Sequence, residues 1–138
     1  MIKPYEITIG SLLKTNKGEI IKVESISTKR KHRKVGYHEE GDPYHIKYVR
    51  LVQCESIPLS DEFLVSNKFE LDEDKAEWKR HFGKYEICYL DKGALTIDDK
   101  TDESSFRLVQ DVFTVHRLQA ALIYCGLQDL ALNLNVQQ

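Results

Sequence analysis

Five basic side chains fall within six residues: Lys29, Arg30, Lys31, Arg33 and Lys34, with His32 among them. Fixed positive charge at that density on a loop can grip phosphates. Tyr37, Tyr44 and Tyr48 follow closely, and a tyrosine ring can stack on a base. The pattern points to nucleic acid held through residues 29–34. Two other readings stay open. One is a solvated loop whose charge is offset by Glu39, Glu40 and Asp42. The other is a grip on an acidic protein or an anionic small molecule.

A second pair with chemistry is His116 and Gln119, which share a face if they lie on one helix. Turned toward a sheet, they form a polar cluster that holds the fold. Turned toward a cavity, they contact a ligand. Other chemistries lack their signatures. The phosphate cradles GxxxxGK[ST] and GxGxxG are absent, as are HExxH, an EF-hand loop and GxSxG. Cys54, Cys88 and Cys125 are widely spaced with no CxxC pair, and read as reduced structural thiols. His38 and His45 flank an acidic stretch, but no histidine groups compactly with a cysteine. Neither a metal nor a cofactor is expected, and neither is an enzyme. Asp98, Asp99, Asp102 and Glu103 read as a solvated loop beside a hairpin.

Bulk composition narrows the partners. The chain has 138 residues, and its 20 Lys and Arg against 22 Asp and Glu leave a net charge of -2. Such a balance exerts no global pull on nucleic acid or anionic lipid, so any attraction must be local. With 41% hydrophobic and 30% charged residues the chain is globular, and its length suits a single domain, 1–138. No apolar stretch follows a basic start, and the run at 120–125 is far too short for a bilayer. A cytoplasmic protein without a membrane partner is expected.

The elements that must hold these side chains can be traced from period and turn residues. Ile7 to Leu13, a turn at Asn16-Lys17-Gly18, and Ile20 to Ile26 predict a hairpin. Residues 27–45 carry no repeating apolar position and read as one long exposed loop, basic then acidic, with the tip of an extended hairpin as the alternative. Strand character resumes at Ile46 and runs toward Ile57. Ser60 can cap a short middle helix whose apolar face is Leu59, Phe63 and Leu64. The charged residues 70–77 follow, and Trp78 and Phe82 at a spacing of four suggest a helical turn. Residues 85–97 form a second hairpin about Asp91-Lys92-Gly93, with a third strand at 106–109. Thr114 can cap a helix buried through Val115, Leu118, Leu122 and Cys125 and stopped by Gly126, with Leu127 folded back. Beyond it Leu130, Leu132, Leu134 and Val136 alternate, which predicts a final strand. An apolar strand of that kind must be paired or covered, within the sheet or in a homo-oligomer. The fold class is α+β: short antiparallel strands forming an SH3-like or curled sheet, a small middle helix, a second hairpin, and a C-terminal helix packed on sheet.

Three stretches carry a family resemblance. Residues 57–64, ending at Phe69-Glu70, resemble an IPLTEEWL…GF segment. Val115-His116-Arg117-Leu118-Gln119 resembles a YVHQLQNLY helix. Residues 6–10 with 18–23 resemble an LRIGN…G.IVKV opening. In this order they resemble a family of small uncharacterised proteins encoded by Bacteroides-type bacteria and their phages. The chain departs from the pattern at Lys68, where the family tends to have glycine, and at Ala120-Ala121, which replace Asn-Leu. Its 125–130 segment is shifted against the usual LTGEEL ending, and the basic run is an elaboration of this chain. The resemblance implies a phage or mobile-element origin. On that footing the leading expectation is a non-enzymatic accessory protein binding a host protein or small ligand. Sequestration of a host signal in counter-defence is one form of it. The alternative is a nucleic-acid-binding accessory protein using 29–34.

Overall fold

A computed structural model describes residues 2–27, 33–90, 92–102 and 105–136. The N-terminal hairpin is present: β1, Leu12–Thr15, turns at Gly18 into β2, Ile20–Lys22, with Leu13 opposite Ile21. The chain runs on past Val23 into β3, Ser25–Ile26, which pairs with β4, Lys34–His38, which pairs with β5, Ile46–Arg50. A 3₁₀ turn at Leu51–Gln53 leads to β6, Cys54–Glu55, which returns to β1. Residues 20–26 supply one strand to each three-stranded sheet, β2 to the first and β3 to the second. At the crossing Val23 N–H reaches Ser11 O at 2.9 Å and Glu24 N–H reaches Gly36 O at 2.8 Å. The result is a curled, SH3-like meander around a small core that includes Ile7, Leu13, Ile21, Val23, Val35 and Leu51.

This corrects the reading of 27–45 as one exposed loop. Its centre is β4, the middle strand of its sheet, with Val35, Gly36 and Tyr37 buried. Only positions 35 and 37 carry the apolar alternation, too short a signal to stand out between charged neighbours. Pairing on both sides makes the burial pay.

The second half begins with α1, Asp61–Ser66, capped as expected by Ser60, whose Oγ accepts Phe63 N–H at 3.1 Å. An antiparallel meander follows: β7, Glu70–Asp72; β8, Glu77–Phe82; β9, Tyr85–Leu90; β10, Ala94–Asp99; and β11, Phe106–Val109. The β9–β10 hairpin and its third strand match expectation. The helical turn at Trp78 and Phe82 does not: both lie on β8, with Trp78 between Leu71 and Tyr89. A spacing of four puts two residues on one face of a strand as well as of a helix, so it could not choose. Asp98 and Asp99 likewise end β10 instead of floating in a loop. Asp99 is buried, bonded to Thr101 and paired with Lys84 at 3.0 Å.

Two helices cover the sheet: α2, Val115–Tyr124, and α3, Gln128–Leu132. Val115, Leu118 and Leu122 are buried with Trp78, Ile87 and Leu95 in the larger core, and Cys125 is half-buried against it. Thr114 sits at the N-cap, but its hydroxyl makes no capping bond. The expected final strand is α3 and a short extended tail. Leu127, Leu130, Ala131 and Leu134 are the buried set, a spacing of three, one and three that follows the helical period. The alternating leucines overlay that pattern and masked it. The route to a homo-oligomer through a C-terminal strand is thereby lost.

Both longer stops use the same device. After α2, Gly126 takes φ +84, and Leu127 N–H bonds Leu122 O at 2.8 Å. After α1, Lys68 takes φ +67, Lys68 N–H bonds Val65 O at 3.1 Å and Phe69 N–H bonds Leu64 O at 2.9 Å. Lys68 thus holds a left-handed position that suits glycine. In urea titrations Lys68→Gly is expected to raise stability by about 0.5–1 kcal/mol, and Gly126→Ala to lower it by about 1 kcal/mol. A loss on Lys68→Gly would mean that the aliphatic stem of the lysine outweighs the backbone strain.

Candidate functional site

Register in the β3–β4–β5 sheet decides which side chains meet. Val35 and Val49 pair on the inner face. The alternate positions Lys34, Gly36 and His38 lie opposite Arg50, Tyr48 and Ile46 on the outer face. Gly36, at its centre, is buried beneath neighbouring side chains. A Cβ there would sit 3.1 Å from Tyr48 Cε1 and 3.2 Å from Ile46 Cγ2, and would collide with Ser25 Oγ. Tyr48 therefore packs its Cε1 edge against Gly36 while remaining 61% exposed.

Lys34 and Arg50 face each other at one end of this sheet. Like charges directly opposite are unfavourable, and among the described residues no carboxylate pairs with Arg33, Lys34 or Arg50. Backbone bonds hold the end in place: Ser27 N–H to Lys34 O at 2.9 Å, and Leu51 N–H to Arg33 O at 2.9 Å. Ser27, Arg33 and Lys34 are therefore fixed together at this end. Lys29, Arg30 and Lys31, with His32, lie outside the described residues. Beside this end, Tyr5, Ile26, Leu51, Arg33 and Lys34 line a groove of about 330 Å³ at the mouth of the curled sheet.

The acidic residues sit at the far end of β4. From Lys34 to His38 it spans about 13 Å at strand rise, beyond the Debye length of about 8–10 Å at ordinary salt. Their carboxylates also have partners of their own: Glu39 with Lys47, Asp42 with His45, and Glu24 with His38. Glu39 and Asp42 therefore do not sit at the basic end as an offset. Tyr37 is corrected as a stacking candidate: it is 7% exposed, part of the small core, and burial pushes its hydroxyl up. Tyr44 is exposed at the distant turn. Arg50, Ile46 and Gly36 were missed because their role needs the hairpin register. The signal was Gly41-Asp42-Pro43, the turn about which that register is centred.

His116 and Gln119 do share one buried face of α2. Gln119 Oε1 accepts Leu12 N–H at 2.8 Å, and Nε2 donates to Gly10 O at 2.9 Å and Ala131 O at 3.2 Å. One amide thus ties β1 to both helices. His116 Nε2 lies 3.3 Å from Glu6 Oε2, and Arg117 Nη1 lies 3.1 Å from Glu6 Oε1. Burial pushes the His116 imidazole below its usual value against the pull of Glu6. For Glu6, burial raises the carboxyl, but His116, the Lys3 backbone and Arg117 together bring it below its ordinary range. This is the geometry of a cluster that holds the fold. Burial pushes all three thiols up, away from the reactive thiolate form. Among the described residues no group of His, Cys, Asp and Glu could hold a metal, and no helix is long and apolar enough to cross a membrane.

Comparison with protein-family models, curated proteins and solved structures returned no match.

Gln119→Leu leaves Leu12 N–H and Gly10 C=O buried without a partner, and should cost roughly 2–4 kcal/mol in denaturant unfolding. A cost near zero would mean the joint relaxes. Because the folded pKa of His116 is lowered, the unfolded chain binds more protons below its ordinary 6.5. Stability should be full above that value and fall as the pH drops toward the folded value, with the Glu6 contribution lost further into acid as the pH falls through its lowered pKa. His116→Gln should flatten the first part of that fall; an unchanged pH profile would remove His116 as its source.

Proposed function

We propose that the chain is a non-enzymatic nucleic-acid-binding protein that works through the basic end of its N-terminal sheet. One observation carries the reading. Lys34 and Arg50 are held opposite each other, without an acidic partner among the described residues, where the basic run joins the sheet. A fold that accepts the repulsion of such a pair gains most from it when a phosphate lies between them. The acidic turn, one strand length away, leaves that field unscreened. The family resemblance supports a phage or mobile-element setting, in which the protein meets nucleic acid in a bacterial cell.

A second reading, a binder of a host protein or small ligand, draws on a separate feature. Phe106, Leu108, Phe113 and Tyr124 are large exposed apolar side chains. Leu108 and Tyr124 line a groove of about 460 Å³ with Val109, Val112 and Ala121, where β11 meets α2. Exposed apolar surface of that kind suits a protein contact.

Gel shifts at about 50 mM and about 200 mM salt test the first reading, since phosphate-driven binding weakens steeply over that range. The triple substitution Arg33→Gln, Lys34→Gln, Arg50→Gln should lower affinity at least about 10-fold and reduce the salt slope by about 2–3. It should leave stability unchanged or raised, because it removes repulsion between neighbours. Leu108→Asp should have no effect on the shift. An unshifted probe at the lower salt, or binding unaltered in the triple variant, overturns the assignment.

A further inference from the structure

Resting on the nucleic-acid reading, we propose that the outer face of β4 and β5 selects single strands, stacking a base on Tyr48 beside a phosphate held between Lys34 and Arg50. The first observation is the position of the ring. Gly36 beneath it has no side chain, and Tyr48 Cε1 lies 3.1 Å from where a Cβ would stand. The ring rests against Gly36 through that edge and stays 61% exposed. An exposed tyrosine ring can stack on a base. A duplex offers base edges in its grooves and sugar-phosphate elsewhere, so it has no base face to return the contact. An unpaired base does.

The second observation is where the charges stand. Arg50 is two residues from Tyr48 on the same face, about 7 Å away along the strand, within the reach from a base to its own backbone phosphate. Lys34 stands opposite Arg50 and two residues from Gly36. A strand lying across this face can therefore set one base on the ring and its phosphate between the two cations. Ile46, next on the same face of β5 and half-exposed, extends the apolar floor beyond Tyr48. The far end of this face is closed to phosphate by the His38–Glu24 pair and the acidic turn. The charge gradient along β4 would thus fix which way the strand leaves the ring, toward Lys34 and Arg50. The surface complements a flexible polyanion with flat faces. It does not complement an acidic peptide equally well, because the π-face of Tyr48 has no counterpart there.

Fluorescence anisotropy with a labelled oligothymidine, its duplex with oligoadenine, and polyglutamate as a competitor tests this on the full chain. The single strand is expected to bind at least about 10-fold tighter than the duplex. Tyr48→Ala should weaken single-strand binding about 5- to 100-fold without changing the salt slope, and Tyr48→Phe should restore most of it. Arg50→Gln should lower the salt slope by about 1 for both probes. Equal binding of both probes with Tyr48→Ala silent overturns the single-strand inference while leaving the nucleic-acid reading standing. Binding of polyglutamate with no affinity for either oligonucleotide overturns both. Tyr48 is exposed, so its variants should fold, and Tyr48→Phe keeps the comparison valid if Tyr48→Ala does not.

Discussion

Everything in this fold is referred to one side chain, the amide of Gln119. It is buried where the curled N-terminal sheet meets the helices, and a buried amide is tolerated there only when its donors and acceptor are all engaged. Its three bonds take up Leu12 N–H, Gly10 C=O and Ala131 C=O. Those backbone groups come from two segments far apart in sequence, 10–12 and 131, so the amide sets their relative position. Gly10 approaches so closely that a Cβ there would run into Leu132. One turn earlier on α2, His116 and Arg117 hold Glu6 and with it the start of the chain. The two apolar cores are separate clusters, and these polar contacts give the boundary between them a defined geometry that apolar packing would leave free to slide.

The same logic recurs at the edges of the larger core. The Asn67 amide donates to Asn135 O at 2.8 Å and accepts from Asn135 N–H at 2.9 Å, fastening the C-terminal tail beside α1. The Tyr89 hydroxyl donates to Val112 O at 2.8 Å, pinning the segment that leads into α2. Directional bonds at a few buried points thus orient the helices on a sheet whose apolar side chains supply the bulk of the stabilisation. With that frame rigid, the β3–β4–β5 sheet can carry uncompensated charge on its outer face at little risk to the fold.

A net charge of -2 conceals how the charges are arranged. Read along the chain, the basic run and the acidic stretch are neighbours and look self-cancelling. Folded, they are the two ends of one strand. β4 converts proximity in sequence into separation in space, and cross-strand pairing adds Arg50, sixteen residues from Lys34, to the basic end. The proposed binding surface is a product of that pairing.

What the sequence determined alone was local. The hairpin at 12–22, the Ser60 cap, the β9–β10 hairpin, the buried stripe of α2 and its stop at Gly126 all follow from signals within a few residues: period, turn residues and caps. The pairing of His116 with Gln119 on one face was legible too, since a helix sets that spacing. Tertiary structure decided what short patterns leave degenerate. Trp78 and Phe82 fit a strand or a helix equally, and the leucines at 130–134 carry both periods at once. Tyr37 and Tyr48 look alike as sequence, yet one is core and the other an exposed platform. Strand register, which depends on contacts between distant residues, assigns each side chain to the core or to solvent, and no local pattern contains that information.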